Sequence, residues 1–308
     1  MSVDSTIARP SDENLNLIDH LARRLSLKQI VFGIILAFFL VSILFPFYWM
    51  VSSSFKSFAE IGGREAVYFP SALRLDAYRE LFDPAHQAFK SFARSMLNTL
   101  MISIPTALLA VILSTLGAYA ITRMRFRGSS ALLNGILLIY LFPGILLIIP
   151  LFAMIAQMGA RIGFEVRDNL GVLMFTYLAM TLPVALYMLA NYFRTIPHEI
   201  EQAGLIDGCT RLEVIWRITI PLAVPALVSV FIYTFMIAWN EYLYAFVFLT
   251  DREMFTMPIA INQINNDAQP RPHVVMAAST VMTLPVIILF LALERYLAEG
   301  LAAGGVKG

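Results

Sequence analysis

Six stretches of the chain are apolar almost without interruption, at positions 30–50, 97–121, 131–157, 170–193, 222–249 and 274–297. Each reaches the roughly 20 residues that a helix, rising about 1.5 Å per residue, needs to cross the hydrocarbon of a bilayer. Lipid offers no partner to a bare backbone N–H or C=O, so only helices or closed barrels span it. Barrel strands would be about half this length and would alternate apolar with polar positions. These stretches do neither, which predicts an all-α polytopic membrane protein with six transmembrane helices. The polar remainder sets off an N-terminal segment, 1–29, and a tail, 298–308, from a span-bearing domain, 30–297.

Every span contains a proline: Pro46, Pro105, Pro143 with Pro150, Pro183, Pro225 and Pro285. Each deletes a backbone donor and can kink its helix, although neighbours in a membrane bundle re-satisfy the freed carbonyls. Pro143-Gly144 is where an outright break is expected.

Positive charge next to short loops sets orientation, because Lys and Arg resist translocation. Arg23, Arg24 and Lys28 precede the first span, and the 122–130 loop carries Arg123, Arg125 and Arg127 with no acid. Both observations predict a cytoplasmic N-terminus, and an even number of spans returns the C-terminus to the same side. Segments 1–29, 122–130, 194–221 and 298–308 are then inside, while 51–96 and 250–273 are outside. The first 28 residues are polar and do not resemble a signal peptide; Leu15, Ile18, Leu21, Ala22 and Leu25 predict an amphipathic helix on the inner face.

Composition narrows the chemistry. Of 308 residues, 59% are hydrophobic and 14% charged, against just under half and about a quarter in soluble domains, which argues against a cytosolic enzyme. A net charge of +1 gives no reason to expect nucleic acid. Cys209 is the one cysteine, no phosphate-binding loop occurs, and His20, His86, His198 and His273 fall outside the spans without metal-ligand spacing. No catalytic residue, metal or bound cofactor is expected. Carriers driven by protons or voltage need ionisable groups in the bilayer. Here the one charge well inside a span is Glu241, 19 residues beyond Leu222 (241 − 222), or about 29 Å along a helix and so near the outer interface. The energy for uphill transport is therefore expected from a partner.

The segment 194–221 is where that partner is expected to act. Pro197 suits the start of a helix, Glu199 and Glu201 favour its positive end, and Gly208 can adopt the left-handed backbone that stops it. Thr210 and Glu213 form a capping-box pattern for a second helix, which Pro221 is expected to end. Helix–Gly–helix on a membrane surface, with small Ala203 and Gly204 on one side, fits a groove of another protein.

Gln202-Ala203-Gly204, three residues, Gly208, nine residues and Ile218-Thr219-Ile220-Pro221 resemble the EAA signature of ABC importer membrane subunits, E-A-A-x3-G-x9-I-x-L-P, and Asp207-Gly208 matches its D-G pair. Gln202 stands in place of the signature Glu and Gly204 in place of the second Ala. Glu201 is one residue away but faces a different side of the helix, since neighbours differ by about 100°. Residues 238–249, opening Ala-Trp-Asn-Glu-Tyr, resemble the W-N-E-[FY] signature of the carbohydrate class. The tail 300–308 resembles the G-L-x-x-G-x-V-K-G ending of the smaller permease in maltose-type systems.

The resemblance implies a type I ABC importer permease fold in a bacterial inner membrane. It implies a second permease, two ATPase subunits that hold ATP and Mg, an extracytoplasmic solute-binding protein, and a sugar or sugar derivative as cargo. Glu201, Gln202, Ala203, Gly204, Asp207 and Gly208 become the expected ATPase-coupling residues. Sugars are held by aromatic faces and by Asn, Tyr and carboxylate groups, so Tyr177, Asn191, Tyr233, Asn240, Glu241 and Tyr242 are the expected substrate-path residues, each also readable as helix packing. Glycerol phosphate or polyamine import, and secondary transport, remain open alternatives.

Overall fold

The computed structural model describes residues 27–83, 85, 92–124, 126–266 and 271–305. The amphipathic helix expected around Leu15–Leu25 and the last residues of the tail, 306–308, lie outside them.

Among the described residues the chain is helical, without strands. In order the helices are α1 (Leu27–Ser54), α2 (Phe58–Gly62), α3 (Asp76–Phe82), α4 (Phe92–Arg123), α5 (Ser129–Tyr140), α6 (Ile148–Ile162), α7 (Leu170–Phe193), α8 (His198–Ile206), α9 (Arg211–Val214), α10 (Ile220–Asn240), α11 (Leu243–Phe248), α12 (Met257–Asn265) and α13 (Pro272–Gly305). Six helical stretches are long and apolar enough to cross a membrane: Leu27–Ser54, Phe92–Arg123, Gly144–Ile162, Leu170–Phe193, Arg211–Asn240 and Pro272–Tyr296. They correspond one for one to the six apolar runs.

Two runs are not single helices. The third breaks after Tyr140: residues 141–143 turn, Gly144–Leu147 form a 3₁₀ turn, and α6 follows. The break falls at Pro143-Gly144, as expected. Pro150 falls in the first turn of α6, and Pro46, Pro105, Pro183, Pro225 and Pro285 lie inside helices that continue through them. The fifth run ends early, because Glu241 adopts extended backbone (φ −68°, ψ 128°) and α11 restarts two residues on. Nor does Pro221 end the second helix of the 194–221 segment. Residues Ile215–Thr219 form a π-turn in which the Ile220 N–H reaches the Ile215 carbonyl, and Pro221 sits in the first turn of α10. Helix therefore runs through Pro221, from Arg211 to Asn240.

The core lies where α4, α7 and α10 meet. Small residues let these helices approach without lipid between them: Ala107, Ala110, Ser114 and Ala118 on α4 are buried. A Cβ at Gly117 would come within 2.7 Å of Leu186 on α7. By contrast α1 attaches only at its end. Ser52, Ser53 and Ser54 are buried, and the Ser54 hydroxyl meets the Tyr78 hydroxyl at 2.7 Å. Phe32, Phe38 and Val41 remain exposed along an apolar rod.

Candidate functional site

The segment expected to couple to a partner lies at the end of the bundle where α4 and α7 terminate. α8 starts after Pro197, in the extended conformation of an N-cap, with Glu199 and Glu201 in the first turn. It stops at Gly208, whose φ of +90° lies in the left-handed region. The Cys209 N–H returns to the Gly204 carbonyl at 3.0 Å and the Gly208 N–H to Leu205 at 3.2 Å, the paired bonds of a Schellman ending. The expected capping box opens α9: Glu213 N–H donates to Thr210 Oγ1, and Thr210 N–H to the Glu213 carboxylate. Gly204 packs so closely that a Cβ there would stand 2.4 Å from Ile218 Cδ1. That contact draws α8 against the π-turn and accounts for Gly at the position.

The residues of this segment divide between two faces. Gln202, Ala203, Asp207 and Gly208 point away from the bundle. Ile206, 85% exposed, lies beside them, and Leu212 and Trp216 are exposed on the second helix. Glu201 faces the other way and is buried. It accepts from Arg123 Nε at 2.8 Å and from the Thr219 hydroxyl at 3.1 Å. Arg123 also donates to the Phe193 and Ile196 carbonyls, at 2.8 and 3.0 Å. Its Nη1 stands 3.0 Å from His198 Nε2, which must accept, because a guanidinium has only donors.

The expected substrate-path residues fall into several groups. Tyr177 is buried and donates to Glu241 at 2.7 Å. Glu241 in turn accepts from the Tyr244 and Ala245 N–H groups at 2.9 and 3.1 Å, so it caps α11 where α10 stops. Tyr233 meets the Tyr140 hydroxyl at 3.3 Å, Asn240 donates to Met236 in its own helix, Asn191 accepts from Arg194, and Tyr242 stacks on Phe246. A cleft of about 680 Å³ opens beside Tyr140 and Tyr244, between the third-span break and α7, lined also by Pro143, Gly144, Thr176 and Pro183 among others. The Tyr244 hydroxyl donates to the Gly144 carbonyl at 3.0 Å, joining the two broken spans at its edge.

At the opposite end, two clamps hold the segment that follows α11. Asp168 stands in left-handed backbone (φ 56°). Its carboxylate accepts from the Thr250 and Asp251 N–H groups and the Thr250 hydroxyl. Burial pushes its pKa up, but these bonds and Arg167 outweigh that and hold the carboxyl below its ordinary range. From α4, Asn98 donates to the Glu253 and Phe255 carbonyls at 2.8 and 3.1 Å, and Thr99 accepts from Met257 N–H at 2.8 Å.

With this geometry in view, the comparisons with known proteins are specific. Residues 113–302 match the family described as "Binding-protein-dependent transport system inner membrane component". That range takes in the last third of α4 and the whole 194–221 segment. The chain belongs to this family. Over 283 residues it is 41% identical to the inner membrane ABC transporter permease protein YcjP of Escherichia coli (strain K12), covering 92% of this chain and 98% of that one. It is 33% identical, with the same coverage, to the trehalose/maltose transport system permease protein MalG of Thermococcus litoralis. A solved bacterial ABC transporter involved in the import of the acidic polysaccharide alginate shares the fold, at TM-score 0.71 and 23% identity over 95% of this chain and 99% of that one. The fold is thus that of an ABC importer permease.

Of the expected coupling residues, Glu201 and Gly204 face inward, because positions 201 and 204 share the helix face that packs on Arg123, Val214 and Ile218. Of the expected substrate-path residues, Tyr177 and Glu241 share one hydrogen bond, while Asn191, Tyr233, Asn240 and Tyr242 each have other partners. Sequence reading also passed over Arg123, Ile206, Leu212 and Trp216. The signal for the last three was present as apolar residues in a polar segment, whereas nothing local distinguishes Arg123 from Arg125 or Arg127.

Proposed function

We propose that this permease is the membrane subunit of an ATP-driven importer that admits a sugar or sugar derivative delivered by a solute-binding protein. It pairs with a second permease to enclose the path, and two ATPase subunits, which hold ATP and Mg, drive it from the cytoplasmic side. Its N- and C-termini lie in the cytoplasm. Gln202, Ala203, Asp207 and Gly208, with Ile206 beside them, form the face that docks on an ATPase.

One observation carries the reading: α8 stands clear of the bundle with an exposed face, yet is fixed to it from beneath through Glu201 and Gly204. A helix so placed passes a push inward. The trehalose/maltose permease of T. litoralis and the sulfoquinovosyl glycerol permease SmoH of Agrobacterium fabrum, 32% identical over 87% of this chain, support a carbohydrate as cargo.

Purification from the native membrane tests this. The expected result is a co-purifying ATPase and second permease, with ATP hydrolysis raised by a binding protein loaded with a sugar from a screened panel. Transport by the purified chain alone under a proton or sodium gradient would overturn it.

A further inference from the structure

Arg123 ends α4, and its side chain is 3% exposed against 5% for its partner Glu201. All three guanidinium nitrogens are engaged: Nε by Glu201, Nη1 by His198, Nη2 by the carbonyls of Phe193 and Ile196. The second Glu201 oxygen takes the hydroxyl of Thr219, which is fully buried in the π-turn. One ion pair therefore ties together the end of α4, the end of α7, the first turn of α8 and the entry to α10.

The placement follows elementary electrostatics. The last carbonyls of α7 lack helical partners and carry the negative end of its dipole, which a cation satisfies; a carboxylate suits the first turn of α8. Yet a buried ion pair is a poor way to stabilise a fold, since apolar residues of similar volume do as well or better. What it imposes instead is geometry, because a planar guanidinium with fixed donor directions accepts few arrangements of its partners.

We propose that Arg123 is a positioning residue: with Glu201 it forms a strut that makes α8 one rigid piece with α4, α7 and α10. Force applied to α8 then reaches three spanning helices together. This rests on the reading of α8 as the ATPase-docking helix. Without the strut, α8 keeps its link to α7 through residues 194–197 and its Gly204 contact with Ile218 and Val214, but loses its tie to α4, and part of a push on it is spent in local rotation.

The informative change is the paired variant Arg123→Met with Glu201→Leu, which removes the geometric constraint without leaving a buried charge unpaired. In the complete transporter, reconstituted with the sugar that stimulates hydrolysis in the screen above, the ATPases should still co-purify and the melting temperature should stay close to the parent's. Sugar moved per ATP hydrolysed should fall roughly tenfold, within the range over which single positions modulate coupling. Arg123→Lys, which keeps the charge but cannot reach all four partners, should show a smaller fall.

A second readout needs no ATPase. In a Cys209→Ser background, spin labels on Gln202→Cys and Leu116→Cys of the permease alone should give a narrow distance distribution with the strut and a broad one in the paired variant. A narrow distribution in the paired variant, or an unchanged sugar-to-ATP ratio accompanied by a lower melting temperature, would overturn the strut. A broadened distribution with an unchanged ratio and parent stability would leave the strut's rigidity standing and sink the assignment of α8 as the docking helix.

Discussion

At the scale of single residues, function in this permease depends on backbone as much as on side chains. Gly208 turns with φ +90° in open space, so Gly208→Val meets no neighbour but must enter left-handed backbone, at about 1–2 kcal/mol. The turn between α8 and α9 should loosen, read as reduced sugar-stimulated ATP hydrolysis with normal insertion in the membrane. Glu241 is the other test. Glu241→Ala removes the α11 cap and leaves the buried Tyr177 hydroxyl without its acceptor, which together should destabilise by about 2–4 kcal/mol, measured as a lower apparent Tm in detergent. Gly208 and the Thr210–Glu213 box were legible in the sequence because each acts within four residues of itself. The Arg123–Glu201 pair was not. Its partners are 78 residues apart, and only the packing of α4 against α7 brings them together.

At the scale of elements, the segments that join the long helices are held by carboxylates acting as multiple acceptors. Glu60 takes the N–H and hydroxyl groups of both Ser57 and Ser71. Hydrogen bonding from Ser71 and Ser57 lowers its carboxyl from the ordinary 4.5 to about 2. A carboxyl lowered by folding contributes stability that is complete above its ordinary value and fades as acid protonates it. Amide exchange at Ser57 and Ser71 should therefore be slower than in Glu60→Ala above pH 4.5, with the two converging as pH falls toward 2. Asp168→Ala should likewise free residues 250–251, seen as faster exchange of the Thr250 and Asp251 amides. Asp168→Asn should be milder, since Asn tolerates left-handed backbone and still accepts. Element identity was readable from apolar run length. The break at Glu241 was not, because the capping demand of α11 exists only once the chain has bent.

At the scale of the whole molecule, the same patterning that named the six spans also gives them a direction, and Cys209 offers a direct reading of it. As the one cysteine in the chain, half-exposed in the α8–α9 turn, it should react with a membrane-impermeant maleimide in inverted vesicles and stay unlabelled in intact spheroplasts. Labelling of intact spheroplasts would reverse the orientation and remove α8 from reach of a cytoplasmic ATPase. The π-turn at Ile215–Thr219 carries a further consequence. A π-turn is a one-residue insertion absorbed by a helix without forming a loop. Deleting a residue from it would let the stretch rewind as ordinary helix, with both flanking helices intact, yet would swing everything ahead of it by about 100°. Thr219 would leave Glu201, and the exposed row on α8 would turn to a new bearing. Between Gly208 and Pro221, then, residue count is itself an alignment setting, and an otherwise silent deletion there would leave a well-folded permease facing its partner with the wrong side.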